Sequence, residues 1–192
     1  MKNHFADMKD DLPFEPGSER KARSRAADET ELPVEEMRGQ LRDATALTRF
    51  IEAGRAVLTV RSRKTGARFT LRLAKPDDKR DGRVRIGKPP PIFVNVLSGA
   101  DNTSDYTYLG CLWRKPWGYD YAHGRNSRVA VDAPSVLAVR WLVKLLNNAP
   151  EKIFEQAEFW HEGRCGRCGR RLTVPESVET GFGPECAGKV GL

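Results

Sequence analysis

Three of the chain's four cysteines lie in its last 33 residues, "WHEGRCGRCGRRLTVPESVETGFGPECAGKVGL", and their spacing constrains this segment more than any other feature of the sequence. Cys165 and Cys168 form a C-x2-C pair among glycines, a spacing that brings two thiolates to one metal ion. Gly166 and Gly169 permit the tight turns whose backbone amides can face the sulfurs. Cys186 follows after seventeen intervening residues, just past Gly183-Pro184. That dipeptide suggests a turn into a short helix carrying the third thiolate near its positive end, where a thiolate is stabilised. A redox reading of C-x2-C leaves Cys186 without a role and lacks the strand–helix context such a motif needs.

Three cysteines leave a tetrahedral site one ligand short. His161, at H-x3-C, is the nearest remaining donor and completes a Cys3His set. Cys111 is the rival, although it sits in the strand-like "YLGCLWR" and suits a buried thiol. His123 and Glu185 are weaker substitutes. A four-ligand zinc site with no open position is structural, and it would hold roughly 30 residues that cannot build a core alone. The deaminase layout, with a His/Cys-x-Glu well ahead of Pro-Cys-x2-Cys, is absent.

No apolar run approaches the roughly 18 residues that a membrane span needs, and the start "MKNHFADMKDD" has no signal-peptide core. The expected location is therefore the cytoplasm, where reducing conditions favour metal binding over structural disulfides.

Residues 1–36 read as an extension, mixing charge runs, Pro and Ser with few large apolar residues. Residues 37–150 read as the folded body. The spacing of Met37, Leu41, Leu47, Phe50 and Ile51 predicts a helix over about 35–52, ended by Gly54. "RAVLTVRSRKTGARFTLRLAK" alternates with period two on either side of a turn and predicts a hairpin. "IFVNVLSGADNTSDYTYLGCLWR" adds two strands and "YDYAHGRNSRVAV" another. "DAPSVLAVRWLVKLLNN" is the clearest helix, with Asp132 as N-cap, Pro134 in the first turn and an apolar stripe through Val136, Val139, Leu142, Val143 and Leu146. Residues 151–192 are expected as a linker helix, "EKIFEQAEFW", leading into the cysteine module. The expected fold class is α+β: an antiparallel sheet of about five strands with flanking helices. To this is appended a small C-terminal module whose knuckle, hairpin and helix-borne ligand resemble a treble-clef zinc module.

The net charge is +7, unevenly spread: residues 54–128 carry 16 Lys/Arg against 6 Asp/Glu, whereas residues 1–53 carry 9 against 12. A basic body with near-neutral flanks is the electrostatic footprint of a polyanion binder. Arg61, Arg63, Lys64 and Arg68 flank the first hairpin, and Lys79, Arg80, Arg83, Arg85 and Lys88 crowd the loop after it. "DYTYLGCLWRKPWGYDYAHGR" interleaves aromatics with Arg114, Lys115 and Arg125, a mix in which bases stack on exposed rings while cations hold the backbone. Alternation directs Tyr106, Tyr108 and Trp113 to the core, and Trp117, in turn chemistry, is the ring expected in solvent. Asp101 and Asp105 in "GADNTSDY" read as turn residues in preference to a cation site.

The tail motif C-x2-C-G-R-x-L-T-x-P-x-S followed by G-x-G-P-x-C resembles a small cysteine-bearing domain of unknown function that recurs in bacteriophage and prophage proteins. Cys165, Cys168, Gly169, Arg170, Leu172, Thr173, Pro175, Ser177, Gly181, Gly183, Pro184 and Cys186 carry the likeness. "ARFTLRL", "FVNVLSGADNTSDYTYLG" and "DAPSVLAVRWLV" extend it to about residues 54–192. The resemblance implies a phage or prophage origin, a bacterial host cell and a bound Zn2+, and it implies no activity. The expected function is that of a non-enzymatic, zinc-containing nucleic-acid-binding protein of phage origin. The alternative is a phage protein whose basic surface binds and inhibits or redirects a host protein complex, such as a defence assembly.

Overall fold

The chain enters the fold as a two-residue strand, β1 (Gln40–Leu41), and turns at once into helix α1 (Ala44–Glu52), whose first turn is capped by the Asp43 carboxylate accepting from Ala46 N at 2.8 Å. The computed structural model describes residues 39–76 and 89–192. The N-terminal extension and the loop cations Lys79, Arg80, Arg83, Arg85 and Lys88 lie outside the described residues. The expected helix over 35–52 is thus corrected at its start: residues 40 and 41 pair in a sheet and the helix begins at 44.

Alternation in the next segments is realised as the predicted hairpin. β2 (Arg55–Ser62) and β3 (Arg68–Ala74) pair antiparallel with Leu58 opposite Leu71 and Ala56 opposite Leu73. β4 (Ile92–Leu97), β5 (Tyr106–Lys115) and β6 (Gly118–His123) continue the sheet as a meander. Helix α2 (Pro134–Asn148) follows, burying Val136, Val139, Leu142 and Val143 as the stripe required. Asp132 is not its cap: Ala133 occupies that position without a side-chain bond, and Pro134 opens the helix. Asn147 near the end of α2 grips β6, its Oδ1 accepting from Tyr119 N at 2.8 Å and its Nδ2 donating to Tyr119 O at 2.7 Å.

The largest departure from expectation comes next. The predicted linker helix "EKIFEQAEFW" is a 3-10 turn (Pro150–Lys152), a single turn of helix α3 (Ile153–Gln156), and then strand β7 (Ala157–His161). β7 inserts between β1 and β2, with Phe159 opposite Val60 and His161 opposite Leu58. The sheet therefore has seven antiparallel strands, not about five, in the order β1-β7-β2-β3-β4-β5-β6. Residues 157–161 belong to the same sheet as the body, so the tail begins as a sheet strand and not as a tether.

One face of this sheet is the core side. Ala56, Leu58, Val60, Leu71, Leu73, Ile92, Val94, Val96, Leu112 and Phe159 are buried together with Leu47, Phe50 and Ile51 of α1 and the stripe of α2. Burial of this apolar surface is the main favourable term in the fold. Leu172, Phe182, Cys165 and Cys186 of the tail join the same cluster. No helix among the described residues is long and apolar enough to cross a membrane.

Candidate functional site

Beyond β7 the chain makes a tight loop closed by an antiparallel bridge between Arg164 and Arg171. Within it, Cys165 N donates to Arg170 O and Gly169 N to Cys165 O, both at 2.8 Å. Gly169 takes φ 76°, the left-handed region that glycine enters without steric cost. Helix α4 (Pro175–Thr180) and the turn through Gly181–Gly183 then lead into α5 (Pro184–Val190), which carries Cys186 in its first turn. The Sγ atoms of Cys165, Cys168 and Cys186 all lie within 4.8 Å of one another, so these three thiolates can hold a metal ion. No fourth His, Cys, Asp or Glu donor among the described residues joins them.

The chemistry of the cluster fits a cation. Burial pushes the Cys165 thiol up, but hydrogen bonds from the amides of Cys168, Gly183 and Arg167, together with the Cys168 side chain, outweigh it and bring the thiol down to about 7. Amide donors aimed at the sulfur favour the thiolate, the form that ligates metals. Burial raises the Cys186 thiol, the Cys168 and Cys165 sulfurs raise it further, and the Arg167 side chain opposes them.

His161 stands apart from this cluster. It is 5% exposed, and both ring nitrogens are engaged: Nε2–H donates to Val178 O at 2.6 Å, and Nδ1 accepts from Gly163 N at 3.1 Å. Its ring lies 5.3 Å from that of Phe50. The physical reason is strand alternation. Ala157, Phe159 and His161 occupy the core side of β7, so the imidazole is directed into the core and not toward the knuckle. Burial lowers its pKa, with the bond to Val178 opposing. His161→Ala is expected to destabilise the fold by about 2–4 kcal/mol in a urea titration, while bound metal stays stoichiometric. Loss of metal from an otherwise unperturbed fold would return the fourth ligand to His161. The other substitutes are also elsewhere: Cys111 Sγ lies 3.2 Å from Tyr108 Oη, His123 Nδ1 is 3.3 Å from Tyr121 Oη, and Glu185 is exposed on α5.

The tail is docked on the body. Arg55 N donates to Gly166 O at 2.7 Å, and Gly166 N donates to Gly181 O at 3.0 Å. Phe50 meets Phe182 edge-on at 5.9 Å between ring centroids. A Cβ added at Gly166 or Gly181 would come within 2.8 or 2.9 Å of the Phe50 ring, so glycine is required at both positions for the loop to reach α1.

The cations singled out from the sequence are dispersed. Arg61 and Arg63 share Glu158 at 3.7 and 3.1 Å, and Arg63 also donates to Phe154 O. Arg114 is on the core side, ion-paired with Glu52 at 3.3 Å and lying over the Tyr119 ring. Lys64 sits in the β2–β3 turn and Arg68 at the start of β3, both exposed. Lys115 ends β5, Trp117 is 72% exposed in the turn beyond it, and Arg125 is exposed after β6.

Sequence reasoning expected one sheet face to present guanidinium groups and missed Arg72, Phe93 and Trp160 on it; that face is the far side of the sheet. The residues alternating with the core positions form a surface on which the described helices do not pack. Arg61, Arg68 and Arg72 share it with Phe93, Tyr106, Tyr108, Trp113 and Trp160, as the register shows: Thr59 opposite Trp160, Arg72 opposite Asn95, Asn95 opposite Tyr108 and Phe93 opposite Cys111. Tyr106, Tyr108 and Trp113 are half-buried on this face, a correction to their expected place in the core. Leu109 and Leu112 take the core side of β5 instead. The register shift between Val94 and Asn95 lets Leu109 enter as an extra, fully buried residue. Arg72 lies 3.6 Å above the Tyr106 ring and donates to Thr103 O at 2.5 Å. Asp101 and Asp105 form a turn, with Asp101 accepting from Thr103 N and Ser104 Oγ, both at 2.7 Å.

Residues 155–191 match a family of unknown function (DUF6011), a shorter span than the 54–192 over which the likeness was expected. No curated protein and no solved structure matches the chain significantly.

Proposed function

We propose that this chain is a non-enzymatic nucleic-acid-binding protein whose tail is held by a Zn2+ ion on Cys165, Cys168 and Cys186, the fourth position being left to water or to a donor outside the described residues. The observation that carries the reading is the far face of the sheet, where Arg72 lies over the Tyr106 ring and exposed Arg68 shares the surface, Arg61 being paired with Glu158, within the most basic part of the chain. Guanidinium groups neutralise phosphates and release counterions, and rings offer stacking surface. Thiolates are the donor type of structural zinc sites, which supports zinc as the ion. The likeness of the tail motif to phage and prophage proteins supports a phage-encoded setting.

Titration of labelled oligonucleotides with the metal-quantified protein across a salt series tests the reading. The expected result is a dissociation constant of about 1 μM or tighter at low salt, with log K falling by roughly 0.7–0.9 per phosphate neutralised as log salt rises. Arg68→Ala is expected to reduce that slope by about 1. Absence of binding at low salt would overturn the reading and leave the basic surface to a host protein complex.

A further inference from the structure

We infer that the far face of the sheet takes single-stranded nucleic acid, its bases stacking on Phe93 and Tyr108; the inference rests on the nucleic-acid reading above and narrows it. Phe93 is 36% exposed and its ring centroid lies 6.4 Å from that of Tyr108. They are diagonal neighbours near the middle of the β4–β5 pair, Phe93 facing Cys111 and Tyr108 facing Asn95. Exposed aromatic faces reward contact with the flat faces of bases, which a duplex hides within its own stack and a single strand presents. The shape of the surface agrees. Seven strands at about 4.8 Å spacing make a face roughly 29 Å across, much broader than the ~12 Å major groove that a reading element must enter.

The edge of this face carries a polar receptor beside the rings. Pairing of β5 with β6 ends at Gly110 opposite His123, so among the described residues no strand pairs with 106–108 of β5 on that side. The loop after β6 folds against them through Gly124 N donating to Leu109 O at 2.9 Å and Ser127 Oγ donating to Tyr108 O at 2.8 Å. Between strand and loop lies a shallow pocket of about 210 Å³ lined by Tyr106, Thr107, Tyr108, Asn126 and Arg128. The Asn126 amide offers a donor and an acceptor to a base edge, and exposed Arg128, which has no ion pair among the described residues, offers a guanidinium to the adjoining phosphate. A strand crossing from Arg72 past Tyr108 to Arg128 would alternate cation, ring and cation, the arrangement suited to a polyanion with planar side groups.

The test uses the full chain with zinc bound and three probes at matched salt: a short single strand, its duplex, and an abasic strand of equal length that keeps the phosphates and lacks the rings. The single strand is expected to bind at least about tenfold more tightly than either alternative. It is also expected to quench the fluorescence of Trp113 and Trp160 on the same face. Phe93→Ala, at an exposed ring, should lower single-strand affinity about tenfold and leave duplex binding unchanged. Tyr108→Ala should do the same and Tyr108→Phe should restore it, a contrast that mere destabilisation does not produce. Equal affinity for strand, duplex and abasic probe, insensitive to Phe93→Ala, would overturn the stacking inference while leaving phosphate binding intact. No binding to any probe would overturn both readings together.

Discussion

Cys165→Ser should bring bound metal down to background and melt more of the protein than the tail. Cys165 is buried and its sulfur collects amide donors from Cys168, Gly183 and Arg167, so it is the thiolate around which the loop is organised. A serine keeps the shape but gives up the soft anionic ligand, and metal-binding free energy in such small modules is folding free energy. If the tail were an appended module, the damage would stop near residue 162. The structure argues otherwise, because Gly166 O accepts from Arg55 N at the start of β2, and Phe182, Leu172 and Cys186 sit in the same core cluster as α1. The expected loss is on the order of 10 °C in the melting temperature of the whole chain. Metal analysis and a thermal scan, read both by far-UV signal and by the buried Trp141 of α2, check both halves. Retained stoichiometric metal would refute the three-cysteine site. Loss of metal with an unchanged Trp141 transition would make the tail an independent unit.

Phe50→Ala is expected to destabilise the protein by about 3–5 kcal/mol, the range for removing a fully buried aromatic ring. Phe50 has no exposed surface and touches both halves of the architecture. Its ring faces His161 at 5.3 Å and Phe182 at 5.9 Å, and it packs on the open sides of Gly166 and Gly181. The cavity left behind would lie between α1, β7 and the cysteine loop, where two glycines offer no side chain to collapse into it. Metal affinity should weaken in the same variant, since the loop would lose the surface that holds it closed. Urea unfolding together with chelator competition reads both effects. A loss below about 1 kcal/mol would show that the tail does not bear on α1 in this way.

The cysteine trio and the basic middle of the chain were legible because local spacing and composition encode them. C-x2-C with a Gly-Pro-x-Cys beyond it brings thiolates together almost irrespective of what surrounds them. The β2–β3 hairpin and the α2 stripe were legible for the same reason, each being a single periodicity over a short window. β7 was not. "AEFWH" follows a turn of real helix, and nothing in its five residues says that the period changes; its partner in the sheet, Leu58 opposite His161, is about a hundred residues earlier in the chain. β1 escaped notice because two residues carry no period at all.

That one strand also governs the reading of the site. Next to the cysteines in sequence, His161 has the spacing of a ligand, but a residue's direction in a strand is set by pairing, and pairing directs this imidazole inward to Val178 and Phe50. The aromatic residues of β5 turn the other way for a related reason. Tyr and Trp suit either face of a sheet, so alternation alone cannot orient them, and Leu109 and Leu112 claim the core side once the bulge is in place. The sequence by itself determined which thiolates could converge, since that is a property of neighbours along the chain. Tertiary structure alone decided what His161 does and which face presents the rings, because both depend on long-range strand register.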